Sequence, residues 1–145
     1  MPTINRSALV PFSARQMYDL VNNVAAYPEF LPWCSGATVV ESGADYKIAQ
    51  VNIRKGPVRQ HFTTRNTLQD GRQISMALVD GPFRSLDGQW QFSEIGDAGC
   101  RVSFNIDFNL SGLLLQKALG PVFNEICSRL VDAFVTRAHE QYRES

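Results

Sequence analysis

The side chains here that could run acid–base, nucleophilic or metal chemistry are two histidines, three cysteines and 14 acids. His61 sits between Gln60 and Phe62, and His139 stands beside Glu140. A nucleophilic triad needs a base next to a nucleophile and a third group to orient it. Neither histidine has such a setting, so each reads as a surface or rim residue. Cys34, Cys100 and Cys127 are widely spaced, odd in number and without a CxxC pair. That pattern fits free thiols buried as small hydrophobes better than a disulfide framework or a zinc site. Glu41, Asp45, Asp70, Asp80 and Asp87 fall at strand ends and turns, where acids are solvated. The sequence assigns no catalytic residue, no metal ligand and no cofactor motif.

Charge is the second kind of chemistry. The 14 basic and 14 acidic residues cancel over 145 positions, but they are unevenly spread. Lys47, Arg54, Lys55, Arg59, Arg65 and Arg72 share one stretch with a single acid, Asp70, a local +5. The stretch from Asp80 to Asp107 is locally −3. A basic strip of this size can attract phosphate. A solvated hairpin face is the plainer reading of the same residues.

The elements that must carry these groups follow from periodicity. Leu115, Leu119, Val122, Phe123, Ile126, Leu130, Ala133, Phe134 and Ala138 recur at steps of three and four. They predict a long amphipathic helix from Ser111 to Tyr142, with Ser111 as N-cap and a kink at Gly120-Pro121. Cys100, Val102, Phe104, Ile106, Phe108 and Leu110 alternate with polar residues, a half-buried strand. Before it come strands at 38–41, 46–53, 58–69, 73–79 and 86–95. Tight turns join them, with Asp70-Gly71 the strongest turn signal and Gly96-Asp97-Ala98-Gly99 the last. Ile4–Val10 is a first strand, and Ser13 caps a helix over 14–22. Tyr27-Pro28-Glu29-Phe30-Leu31-Pro32-Trp33-Cys34 holds three aromatics and two prolines. Pro28 is expected to open a short helical turn and Pro32 to close it. This segment reads equally as one rim of an apolar pocket or as a hydrophobic corner.

The expected architecture is α+β: one domain over 1–145, with an antiparallel sheet of six to seven strands wrapped around the last helix. One or two short helices follow the first strand. No apolar run approaches a membrane span, and the N-terminus lacks the apolar core of a signal peptide, so a cytoplasmic protein is expected.

This order resembles the helix-grip, or START-like (SRPBCC), fold. Three segments resemble the bacterial ribosome association toxin and mitochondrial coenzyme-Q-binding family, also labelled oligoketide cyclase/lipid transport. They are Tyr27–Cys34, the run Gly81-Pro82-Phe83-Arg84-Ser85-Leu86 leading to Trp90 and Phe92, and Phe123, Ala133-Phe134, Arg137-Ala138 and Tyr142. No presequence precedes Ile4, so the bacterial branch is the better match. Some START-like relatives are cyclases that use a cavity and a few polar groups, so the enzyme question stays open.

A curled sheet with a helix laid across it tends to leave a tunnel suited to a long apolar ligand. Phe30, Leu31, Trp33, Phe83, Trp90, Phe104, Phe108, Phe123, Ile126 and Leu130 are the candidate lining. Plain core packing explains each of them singly. Gln50, Asn52, Arg54 or Arg65 could hold a ring carbonyl at the mouth. The resemblance implies ubiquinone or a related isoprenoid lipid in support of respiration. Its alternative is binding to the large ribosomal subunit through the basic strip, blocking subunit association. A polyketide cyclase-like activity is third. DNA binding is not expected, and membrane contact would be transient.

Overall fold

A computed structural model describes residues 3–97 and 99–142. Met1, Pro2, the tail after Tyr142 and Ala98 of the Gly96–Gly99 turn lie outside that range. The first strand, β1 (Thr3–Val10), leads into α1 (Ala14–Asn22) and a 3-10 turn over Val24–Glu29. Six strands follow: β2 (Cys34–Ser42), β3 (Tyr46–Lys55), β4 (Val58–Gln69), β5 (Gln73–Asp80), β6 (Phe83–Ile95) and β7 (Gly99–Leu110). Two helices close the chain, α2 (Gly112–Ala118) and α3 (Gly120–Tyr142).

The strands form one seven-stranded sheet in the order β1-β7-β6-β5-β4-β3-β2. Each neighbouring pair is antiparallel. Strands joined by two- or three-residue turns can pair no other way. Gly71, at φ +73°, supplies the left-handed residue that the β4–β5 turn requires. Register shifts in β2, between β4 and β5 at Thr63/Thr64, and between β6 and β7 at Phe83/Ser85 interrupt the ladder. Such irregularities bend a sheet and raise its twist.

One face of the sheet is buried. In β7 the alternation holds throughout, with Phe104 and Phe108 each 1 % exposed and Arg101 turned outward. Helix α3 lies close to β1, β7 and α1. Its inward residues are Phe123, Ile126, Cys127, Val131, Phe134 and Ala138. Beneath β3, β4 and β5 the sheet and α3 do not close completely on each other, and the cavity lies there.

The local signals at α1 are met. Gln16 N donates to Ser13 Oγ at 3.0 Å, and Ser13 N donates to the Gln16 side chain at 2.9 Å, a reciprocal cap. Three expectations need correction. Pro28 lies inside the 3-10 turn rather than opening it, since the turn begins at Val24. β2 is longer than 38–41, because its edge pairing with β3 continues from Cys34 to Ser42. Ser111 makes no side-chain capping bond; its backbone N–H donates to Pro82 O at 3.0 Å instead. The kink falls where expected, with Pro121 in the first turn of α3, where its missing N–H costs nothing. Helix α2 buries none of its residues, and Leu113 and Leu114 stand 74 % and 86 % exposed.

Candidate functional site

The cavity between the sheet and α3 is walled by side chains from every layer. Trp33 comes from the corner, Trp90 and Phe104 from the sheet, and Phe123, Ile126 and Leu130 from α3. These six of the ten expected lining residues are brought together. The other four lie elsewhere. Phe30 packs edge-on against Tyr27 and Phe134 and lies under the Arg137 guanidinium. Leu31 is buried and borders an outer groove that shares Trp33 and Ile126 with the cavity. Phe83 and Phe108 support the cavity from behind, with ring centroids 4.9 and 4.7 Å from Phe123.

Several lining residues escaped the sequence reading. Val24 and Tyr27 come from the 3-10 turn, Ala49 and Val51 from β3, Met76 from β5, Ile106 from β7 and Cys127 from α3. β4 presents Phe62, Thr64 and Asn66 in alternation. Four residues of strand run about 13 Å, so these three are spread along one wall of the cavity. Phe62 shares this face with Thr64 and Asn66 because a strand turns every second residue to the same side.

Thr64 and Asn66 are the buried polar side chains among the described residues, at 5 % and 7 % exposure. Thr64 Oγ1 donates to Asn66 Oδ1 at 2.7 Å. The residues proposed for a ring carbonyl are placed differently. Gln50, Asn52 and Arg54 line a groove on the outer face, because Ala49, Val51 and Ile53 take the inner one. Arg65 also points outward, its guanidinium 4.1 Å from the Tyr46 ring centroid. Thr64 and Asn66 are the polar groups that face inside.

The cavity lining contains no charged side chain. Burial pushes the Cys127 thiol up to about 12, so it is a neutral thiol at ordinary pH. Burial likewise raises the Tyr27 phenol, whose hydroxyl donates to Val21 O. The surfaces available are therefore apolar rings, neutral hydrogen-bonding groups and a protonated thiol. The free space is about 70 Å³. An apolar cavity of roughly 150 Å³ takes a benzene ring, so at about half that volume a ring-sized guest requires the walls to move apart.

The basic strip does not form one surface. Lys47 donates to Asn22 O at 3.0 Å, and Lys55 Nζ lies 3.5 Å from Glu125 on α3. Both sit on the helix-facing side of β3. Arg54 and Arg59 are directly opposite each other on β3 and β4, exposed on the outer face beside His61. Arg72 is exposed in the β4–β5 turn. His139 is exposed, its ring edge-on to Phe12 at 5.0 Å. All three cysteines are free and buried. No group of His, Cys, Asp and Glu among the described residues could hold a metal. No helix of the described residues is long and apolar enough to cross a membrane.

Residues 10–135 match the family model described as polyketide cyclase / dehydrase and lipid transport. Among curated proteins, the Vibrio cholerae protein named ribosome association toxin RatA is 46 % identical over 99 % of this chain and 100 % of its own. The Xenopus laevis protein named coenzyme Q-binding protein COQ10 homolog B, mitochondrial, is 28 % identical over 95 % of this chain and 58 % of its own. A solved START superfamily protein from Mycobacterium smegmatis superposes with a TM-score of 0.75 at 16 % identity, covering 95 % of this chain and 97 % of its own. The likeness at that identity is one of fold. The chain belongs to the polyketide cyclase/dehydrase and lipid transport family, with the START-like helix-grip fold and kinship to the ribosome association toxins and coenzyme-Q-binding proteins.

Proposed function

We propose that the protein binds a hydrophobic ligand in the cavity between its sheet and α3, as a carrier or chaperone for ubiquinone or a related isoprenoid quinone. The observation that carries this reading is a cavity walled by Trp33, Trp90, Phe104 and Phe123 with one neutral polar pair inside. Ring-rich walls without charge suit a neutral aromatic guest and reject an ionised one. The coenzyme-Q-binding relative supports the choice of quinone. At about 70 Å³ the cavity must widen on loading. Apparent affinity is then reduced by the scarcity of the open state. Mass spectrometry of an organic extract from freshly purified protein tests the reading. A near-stoichiometric isoprenoid quinone supports it. An extract free of quinone, with no uptake of added quinone, removes it.

A second reading rests on the outer face. Arg54 and Arg59 face each other across two strands, exposed, with no acid partner among the described residues. Like charges held opposite each other repel unless an anion lies between them. The ribosome association toxin relatives at 46 % identity make ribosomal RNA phosphate the fitting anion. Cosedimentation with large ribosomal subunits at two salt concentrations tests it: binding at low salt that falls steeply at high salt is expected. No association at low salt excludes it. The two readings use opposite faces of the sheet.

A further inference from the structure

The cavity wall carries a single side-chain amide, that of Asn66. Asn66 is 7 % exposed, and its carbonyl oxygen accepts from Thr64 at 2.7 Å. Its amide nitrogen donates to no protein group among the described residues. Nor is that nitrogen sealed off: the buried unpartnered side-chain atom among the described residues is Arg137 Nε alone. Asn66 Nδ2 therefore opens on the free volume of the cavity it lines. A donor on an otherwise apolar wall, with no protein acceptor, is available to a guest that brings one.

We propose that Asn66 is the head-group residue of the cavity, donating through Nδ2–H to a carbonyl oxygen on an otherwise apolar ring. The proposal rests on the reading that the cavity takes a hydrophobic ligand. Thr64 is the positioning residue. Its hydroxyl occupies Oδ1 and so turns the donor, not the acceptor, toward the guest. The register shift at Thr63/Thr64 lies beside this pair, where an irregularity re-aims side chains.

The geometry also selects a ligand class. Arg65, the nearest cation in sequence, faces outward onto Tyr46. With no cation inside, a carboxylate or phosphate head would be buried without a counter-charge, so fatty acids and phospholipid heads are excluded. A neutral acceptor oxygen is what remains, and against ring-rich walls a ring ketone fits it best. It occurs on quinones and on fused-ring aromatic ketones, and along the wall Phe62–Thr64–Asn66 the ring would sit at the Asn66 end with any tail toward Phe62.

The test compares wild type with Asn66→Leu, which keeps the side-chain size and removes the donor. Four probes are titrated: a decyl-substituted benzoquinone, decylbenzene, decanoate and tailless anthrone. Wild type is expected to bind the decyl quinone and not decanoate. Asn66→Leu is expected to lose about three- to tenfold in affinity for the quinone. Its affinity for decylbenzene should be unchanged or higher, and its thermal midpoint equal to or above wild type. Thr64→Val, which keeps Asn66, should weaken quinone binding while sparing decylbenzene, and it serves if Asn66→Leu does not fold. Anthrone binding with the same Asn66 dependence supports the carbonyl subsite and points to fused-ring ketones as its source. Equal loss for quinone and decylbenzene, or no loss for either, overturns the proposal while leaving the cavity reading intact. Wild type binding neither decyl compound overturns both.

Discussion

Arg137 on α3 reaches Glu29 in the 3-10 turn, Nη2 to Oε1 at 3.0 Å, with its guanidinium carbon 5.0 Å from the Phe30 ring centroid. One side chain thus clamps the aromatic corner onto the last helix. The same corner supplies Tyr27 and Trp33 to the cavity wall. Arg137→Ala should cost about 1–2 kcal/mol, since Glu29 is largely exposed and the ring contact adds a comparable share. Urea denaturation measures the cost. Amide exchange should quicken first over residues 24–34. Unchanged exchange there would show that the corner holds without the clamp.

The contrast between inside and outside leucines and phenylalanines gives a sharper test. Phe104 is 1 % exposed and stacks on Trp90 at 4.4 Å between centroids. Phe104→Ala should cost about 3–5 kcal/mol, and Phe104→Asp should prevent folding because it buries an unpaired charge. Leu114 is 86 % exposed. Leu114→Asp should move the thermal midpoint by no more than about 2 °C. Circular dichroism melts of the three variants decide the matter.

The buried thiols make stability fall in alkali. Burial raises the Cys127 thiol from an ordinary value of 9.0 to about 12. Below pH 9 the folded and unfolded chains both keep the proton, and the contribution is fully present. Between pH 9 and 12 the unfolded chain has released it and the folded chain has not. Stability therefore drops as pH rises, by about 1.4 kcal/mol per unit from this group. Cys127→Ala should show a shallower decline than wild type over that window by urea denaturation. Identical slopes would place the titration elsewhere.

Much of the fold could be read from residues alone, because burial and exposure alternate cleanly where the sheet has one wet face. Cys100 to Leu110 is the clearest case, and the capped helix after Ser13 the next. The polar pair was hidden for a physical reason. In the run Phe62-Thr63-Thr64-Arg65-Asn66 both faces carry polar residues, so composition does not distinguish a wet side from a dry one. The same pleating divides the basic strip. Six cations close in sequence share two strands and their turns, yet pleating sends Lys47 and Lys55 to one side and Arg54, Arg59 and Arg65 to the other. Phe83 and Phe108 are aromatic and inward-facing like the lining residues; only packing shows that they stand behind Phe123.

Gly88 offers control over cavity size. It lies opposite Met76 on β5, and a methyl group placed there would meet Met76 Cε at 2.6 Å. The methionine end is flexible and can give way. Since Met76 lines the cavity, Gly88→Ala should fold and push that thioether into the free space. Quinone uptake should fall several-fold with little change in the melting temperature. Unaltered uptake would mean that Met76 finds room away from the guest.

The small resting volume has a consequence for traffic. Under the proposed carrier role, an empty cavity of this size leaves little apolar wall to carry through water. A ring-sized cargo would have to part those walls, and they would press to return. Such recoil would favour release wherever another apolar phase stands ready to receive the cargo, giving delivery a direction without any expenditure of nucleotide.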